Sequence, residues 1–275
     1  MIQYSFIIPH RNSPQILRRL LDSIPQREDV QVIVVDDVEG RGGGWARNQG
    51  LRCAQGRWLL FADADDFYAD GFLDVLDSYC DREDLDVLYF GFQMVNEATG
   101  EVEPTATASF LQGYDGTRPA ENLVRFKINS PWCKMVRRDF AVQHDLCFEE
   151  TRIANDLFFS LTVGYFAQRI AVDKRVLYNY VHYPSSQTNR SWNRAKLFDY
   201  LAVNLRANAF YRHTGHPELC RRLPNLWLEA LRSGGWHRFF QMSWCFIADG
   251  CRLWRTSNLY INKICTNSPS ASKAV

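Results

Sequence analysis

Through the first hundred residues, short β-branched and aromatic runs alternate with helical patterns, and that alternation restricts the chain to a sheet crossed by helices. Strands are expected over 4–9, 30–35, 57–62 and 86–95. Between them, Ile16, Leu17, Leu20, Leu21 and Ile24 fall on one face of a helix over 14–24, and further helices are expected over 45–54 and 71–79. The strands read as apolar on both faces, which suits a parallel sheet with helices on both sides. Their carboxyl ends collect acids: Asp36 and Asp37 after the second strand, and Asp63, Asp65 and Asp66 after the third. Open α/β sheets place their ligands at that edge.

A strand that runs into D-x-D can aim two carboxylates at one point, because residues i and i+2 share a face. A hard divalent cation such as Mg²⁺ or Mn²⁺ suits such a pair and takes its remaining oxygens from water and phosphate. The plainer alternative is that Asp66 caps the following segment and its neighbours are solvated loop acids. The glycines at 40, 42, 43 and 44 invite a dinucleotide reading, with Asp63 about 20 residues beyond. Trp45 argues against it, because an indole occupies the position where helix–strand packing leaves no room for a side chain. A flexible glycine loop carrying Arg41 is the simpler account.

Composition narrows the classes. The chain has 275 residues, 46% hydrophobic and 14% aromatic, enough for a sizeable core. A net charge of +1 and a pI near 7.6 give no global field for nucleic acid, which is not expected as a partner. Eight cysteines are scattered without a C-x-x-C pair or zinc-ligand spacing, and read as reduced thiols of the core. The start, MIQYSFIIPHRN, reads as a first strand rather than a secretion signal. No run is long and apolar enough to span a bilayer, so a cytoplasmic protein is expected.

Later segments change character. The polar stretch 100–109 is expected to be a loop or hairpin, the chain from about 115 mixes helix and strand, and from 193 onward it reads as helical. The stretch 235–255 is rich in Trp and Phe with interspersed arginines. Three readings fit it: an interfacial helix resting on the inner face of the cell membrane, a cap on the preceding α/β domain, or a homodimer contact. Residues 267–275 are expected to fray.

The segments SFIIPHRN, VIVVDD, ARNQG and GRWLLFADADDFY, in that order, closely resemble the nucleotide-sugar-binding half of family 2 glycosyltransferases, inverting enzymes of the GT-A fold. The likeness is strong over 3–96 and continues through PWCKMVRRDF, ANDLFFS and VLYNYVHYPSSQT. It implies a GT-A catalytic domain over 1–192, with a donor half (1–96) and an acceptor half (97–192), then a helical region over 193–275. The implied activity is metal-dependent transfer of a sugar from a nucleoside diphosphate sugar, with UDP the expected nucleotide, to a glycan or lipid-linked glycan of a bacterial polysaccharide.

Carried over by position, the resemblance implies that Asp37 and Asp36 hydrogen-bond the donor nucleoside, with Pro9, Arg11 and Arg47 on the donor side. Asp63 would reach the ribose or the metal, Asp65 would be the principal ligand of Mn²⁺ or Mg²⁺, and Asp156 the general base. Trp132 and Lys134 would line the acceptor site, though a core Trp with a surface Lys fits the residues equally. The chain departs from the family pattern at Arg11 for a tyrosine, at Val38-Glu39 for Gly-Ser, and at Asn155 for the acid preceding the base. Two rivals remain: a nucleotidyltransferase, and a nucleotide-sugar-binding relative without turnover.

Overall fold

The structure, a computed structural model, describes residues 1–12, 14–183 and 193–266. The chain divides into two compact units, 1–150 with 155–189, and 151–154 with 190–275.

Described residues of the first unit form one eight-stranded sheet. Its strands are β1 (Tyr4–His10), β2 (Val30–Asp36), β3 (Trp58–Phe61), β4 (Phe67–Tyr68), β5 (Val87–Asn96), β6 (Val102–Glu103), β7 (Lys134–Arg137) and β8 (Ile170–His182). The order is β2-β1-β3-β7-β5-β8-β4, with β6 pairing off β5. β1 runs parallel to both β2 and β3, as the βαβ pattern requires. The rest is mixed rather than parallel. β7 lies antiparallel between β3 and β5, and β4 antiparallel to β8. Two helices, α4 (Ala106–Gln112) and α5 (Arg118–Lys127), separate β5 from β7, and β7 then runs antiparallel beside the start of β5, with Tyr89 opposite Lys134 and Val87 opposite Val136.

α2 (Gly43–Cys53) packs on β1 and β2, and α1 (Pro14–Ser23) on the two-residue β4. With so short a partner, α1 buries Leu20 while Ile16 and Leu21 stay exposed, a narrower stripe than the sequence suggested. β2 is an edge strand, and Val32 and Val34 are exposed, so its second face is not covered by a helix as expected. The polar stretch after β5 makes the β6 hairpin and then α4, whose amino end is capped by Thr105 accepting from the Ala108 amide at 3.1 Å. α3 (Phe72–Cys80), α6 (Arg138–Gln143) and α7 (Leu157–Phe166) complete the unit.

Aromatic packing supports the edge where the acids lie. Phe61, at the end of β3, sits 5.0 Å from both Phe148 and Phe159, which stack at 4.1 Å. All three are buried, and each ring of this size contributes about 2–3 kcal/mol through burial. Of the described cysteines, Cys133 and Cys245 are buried as expected of core thiols, whereas Cys53 and Cys147 are exposed.

The second unit is helical. α8 (Arg194–His213) begins at Asn193, whose side chain accepts from the Lys196 amide at 2.9 Å. It packs on α9 (Leu223–Thr266) through Leu197, Leu201, Ala202, Leu205, Leu226, Ala230 and Met242. α9 is broken at Gly235 (φ 62°, ψ −164°), a conformation that glycine adopts without strain. No helix among the described residues is long and apolar enough to cross a membrane. The expectation for 267–275 lies outside the described residues.

Candidate active site

The turn after β3 does not point its three acids one way. The Asp66 amide bonds back to the Asp63 carbonyl at 3.1 Å, and this tight turn sends the Asp66 side chain inward, fully buried. There it accepts from the Tyr178 hydroxyl at 2.7 Å and from the Val181 amide at 2.8 Å. The same Tyr178 oxygen accepts from the Asp63 amide at 3.0 Å. β8 thus holds the turn from beneath through two of its residues. Burial, then the charges of Asp63 and Asp65, push the Asp66 carboxyl well above the usual range, while its bonds from β8 oppose that shift.

Asp63 and Asp65 remain partly exposed. Burial, and the charge of Asp63, push the Asp65 carboxyl up to about 6. Arg19 of α1 pulls the other way: its guanidinium donates to the Asp65 carbonyl and, at 3.0 Å, to the Tyr183 hydroxyl, and lies 5.1 Å from the Phe67 ring centre.

Asp63 forms an ion pair with Arg47 of α2. Arg47 is buried over the Phe148 ring and donates a second hydrogen bond to the Asn155 side-chain oxygen at 3.0 Å. That contact brings the end of β3 to the start of α7, where Asp156 is the residue before the first turn. Asp156 makes no capping hydrogen bond to its own helix. Burial raises its carboxyl and the charge of Asp63 adds to the rise, whereas Arg47 and Lys134 hold it down.

α2 fits this site closely. A Cβ on Gly44 would lie 2.0 Å from the Glu149 carbonyl oxygen, and one on Gly50 would lie 2.3 Å from Ile7 Cγ2. Asn48 clamps the backbone of Phe148 from both sides, donating to its carbonyl at 3.0 Å and accepting from its amide at 2.8 Å.

On the donor side expected from the sequence, Pro9 is partly exposed near the end of β1 and pairs in register with Val35. Asp36 is exposed, 3.3 Å from His10 Nδ1. Asp37 is buried, and its two oxygens accept from the amides of Arg41 and Gly42, each at 2.7 Å. Its carboxylate therefore shapes the glycine loop. Arg11 lies over Gly40, and Arg41 over the Trp45 ring at 4.5 Å.

Trp132 and Lys134 are not brought to an open surface. Trp132, 7% exposed, stacks on Tyr178 at 4.9 Å and Tyr180 at 5.7 Å and meets Phe92 edge-on. Lys134 is fully buried, and donates to the carbonyls of Ile128 (2.9 Å) and Ser130 and to the Ser160 hydroxyl (3.3 Å). Burial lowers its pKa. Both side chains brace the loop before β7, and neither offers an acceptor a free face. His182 lies 3.5 Å from Glu103. Of the segment matched at 176–188, residues 184–188 lie outside the described residues.

Among the described residues no cluster of three or more His, Cys, Asp or Glu side chains forms a metal cage. The donor set that remains is Asp65 with Asp63 beside it. Two crowded carboxylates, one pushed toward its protonated form, fit an oxygen-seeking dication that draws its other ligands from phosphate and water.

Comparison with known proteins agrees with this architecture. A family model described as Glycosyl transferase family 2 matches residues 38–144. The glycosyltransferase EpsJ of Bacillus subtilis, itself uncharacterised, is 25% identical over 256 residues, covering 82% of this chain and 74% of EpsJ. The poly(ribitol-phosphate) β-N-acetylglucosaminyltransferase TarS of Staphylococcus aureus is 26% identical over 213 residues, which is 66% of this chain but 35% of TarS. The crystal structure of TarS 1–349 in complex with UDP superposes with a TM-score of 0.60 at 19% identity, covering 95% of this chain and 92% of that one. The mixed sheet and its helices are thus the GT-A architecture.

Proposed function

We propose that the protein moves a sugar from a UDP-sugar to a hydroxyl of a glycan or lipid-linked glycan, with inversion, a reading supported by the match of residues 38–144 to the Glycosyl transferase family 2 model. The observation that carries the reading is the Asp63–Arg47–Asn155 chain, which sets the acids of β3 beside Asp156. The choice of nucleotide is supported by TarS, whose 1–349 fragment has been crystallised with UDP and with UDP-GlcNAc.

In this reading Asp65, assisted by Asp63, would hold Mn²⁺ or Mg²⁺, which when bound supplies positive charge to the diphosphate leaving group. Asp156 takes the proton of the acceptor hydroxyl. The freed oxygen lone pair forms the bond to the anomeric carbon, the carbon–diphosphate bond breaks, and its electron pair leaves on the nucleotide. One such in-line displacement inverts the carbon. The raised carboxyl of Asp156 suits it to this task, since a base works best with a pKa drawn toward the working pH. Arg47 keeps Asp156 ionisable and Asp63 in place. Asp36, Pro9 and Arg11 face the donor, and Asp37 acts through the loop it shapes.

The test is a panel of nucleotide sugars with Mn²⁺, scored for donor hydrolysis and for thermal stabilisation by each free nucleotide. UDP and free sugar as products are the expected result. Release of pyrophosphate from a nucleoside triphosphate and sugar phosphate would identify a nucleotidyltransferase, and nucleotide binding without hydrolysis or transfer a non-catalytic relative.

A further inference from the structure

Helix α9 carries apolar side chains on two opposite faces, and the core of the second unit uses only one. Met242 and Cys245 point inward and are 1% exposed. On the other side Trp236, Phe240, Trp244 and Ile247 are 65%, 63%, 62% and 77% exposed. At about 100° per residue these four fall within about 80° of one another, so they form a single stripe. Trp236 stacks on Phe240 at 6.1 Å, and an open groove of about 510 Å³ follows the stripe, lined also by His237, Gln241 and Ser243. A solvated helix gains nothing from exposing two tryptophans and a phenylalanine in line.

Charge identifies what covers it. Residues 190–275 hold thirteen Lys and Arg against four Asp and Glu, whereas residues 1–189 hold nineteen against twenty-seven. The near-neutral total therefore conceals a basic carboxyl-terminal unit. A second copy would bring two such basic units together, with few acids in either to answer the charge. An anionic bilayer supplies the missing negative charge, and its headgroup layer suits Trp, whose ring is apolar at one end and carries an N–H donor at the other.

We propose that residues 236–247 of α9 dock the protein on an anionic lipid surface, with the Trp236–Phe240–Trp244–Ile247 stripe in the interface and the basic residues of this unit supplying the electrostatic attraction. The docking needs no donor, acceptor or metal, so it stands apart from the reading of the reaction.

Sedimentation of the full chain with vesicles tests it. Vesicles containing phosphatidylglycerol and phosphatidylcholine should bind the protein about tenfold more tightly than phosphatidylcholine alone, and added salt should weaken that preference. The double variant Trp236→Gln/Trp244→Gln should lose anionic-vesicle binding about tenfold or more while keeping the helical circular dichroism and thermal midpoint of the parent. As these side chains are exposed, a second variant, Phe240→Ser, should act in the same direction. Equal binding of parent and variants would overturn the proposal. So would parent dimers, seen by light scattering, that the variants convert to monomers without any vesicle binding, or stripe-dependent binding of single-stranded RNA in place of lipid.

Discussion

Arg47 reaches from α2 to the carboxylate of Asp63 and, with its other terminal nitrogen, to Asn155. It is buried between two charged regions that both need it: the acids after β3, and Asp156 at the start of α7. Removing the guanidinium leaves Asp63 without its counter-charge.

Arg47→Met should destabilise the protein by about 1–3 kcal/mol, at the lower end because Asp63 keeps contact with water. It should also move Asp156. Arg47 holds that carboxyl down, so its loss raises the pKa further, and the acidic limb of the rate profile should shift to higher pH. A pH–rate profile that keeps its acidic limb in place would separate Arg47 from the base.

In the proposed reading, Asp65 links pH to both stability and metal binding. Its folded pKa of about 6 exceeds the unfolded value of about 3.9, so folding takes up a proton, and this contribution to stability is lost as pH rises from about 4 through about 6. Metal-free Asp65→Asn should therefore melt higher than the parent at pH 8, with the difference closing toward pH 4. Affinity for Mn²⁺ in the parent should fall about tenfold per pH unit below about 6, as protons compete for the carboxylate, and the variant should lose this response. Thermal melts with and without Mn²⁺ at several pH values read both effects.

Asp156→Asn should retain nucleotide binding and lose about 10²–10⁴-fold in transfer. Isothermal titration with UDP and a product assay on the same preparation measure the two sides. A variant with parental turnover would require a different base.

Gly44→Ala should cost about 3 kcal/mol, because the new methyl would meet the Glu149 carbonyl at 2.0 Å and neither backbone can give way cheaply. Denaturant melts measure the loss. The same clash pushes α2 away from Asn155, so transfer should fall at temperatures where the variant is still folded.

The first three strands and the helices between them were legible because buried parallel strands are continuous apolar runs, and turn residues mark their ends. What the sequence could not carry was the partner from a distance. Tyr178 and Arg19 meet the acid turn from other elements, and neither belongs to a spacing pattern that would single it out. The resemblance placed Trp132 and Lys134 at the acceptor site, with a core Trp and a surface Lys as the alternative, yet Trp132 stands in a tight turn (Pro131–Cys133) before the strand begins at Lys134, and both end inside. α4 was hidden for the opposite reason. Its first four residues are small, its larger apolar residues Phe110 and Leu111 reach the core only near its end, and the capping threonine was a local sign of it. The exposed face of β2 followed from its place at the sheet edge, which strand composition does not record.

Because Asp66 is fastened to β8 while Asp63 and Asp65 look outward, damage to this acidic turn divides into two kinds that a simple activity screen would merge. In the proposed reaction, loss of Asp65 should leave a folded but idle catalyst, whereas loss of Asp63 also strips buried Arg47 of its counter-charge. Loss of the inward one loosens a structural joint, and its signature is a lowered melting temperature rather than an altered response to manganese.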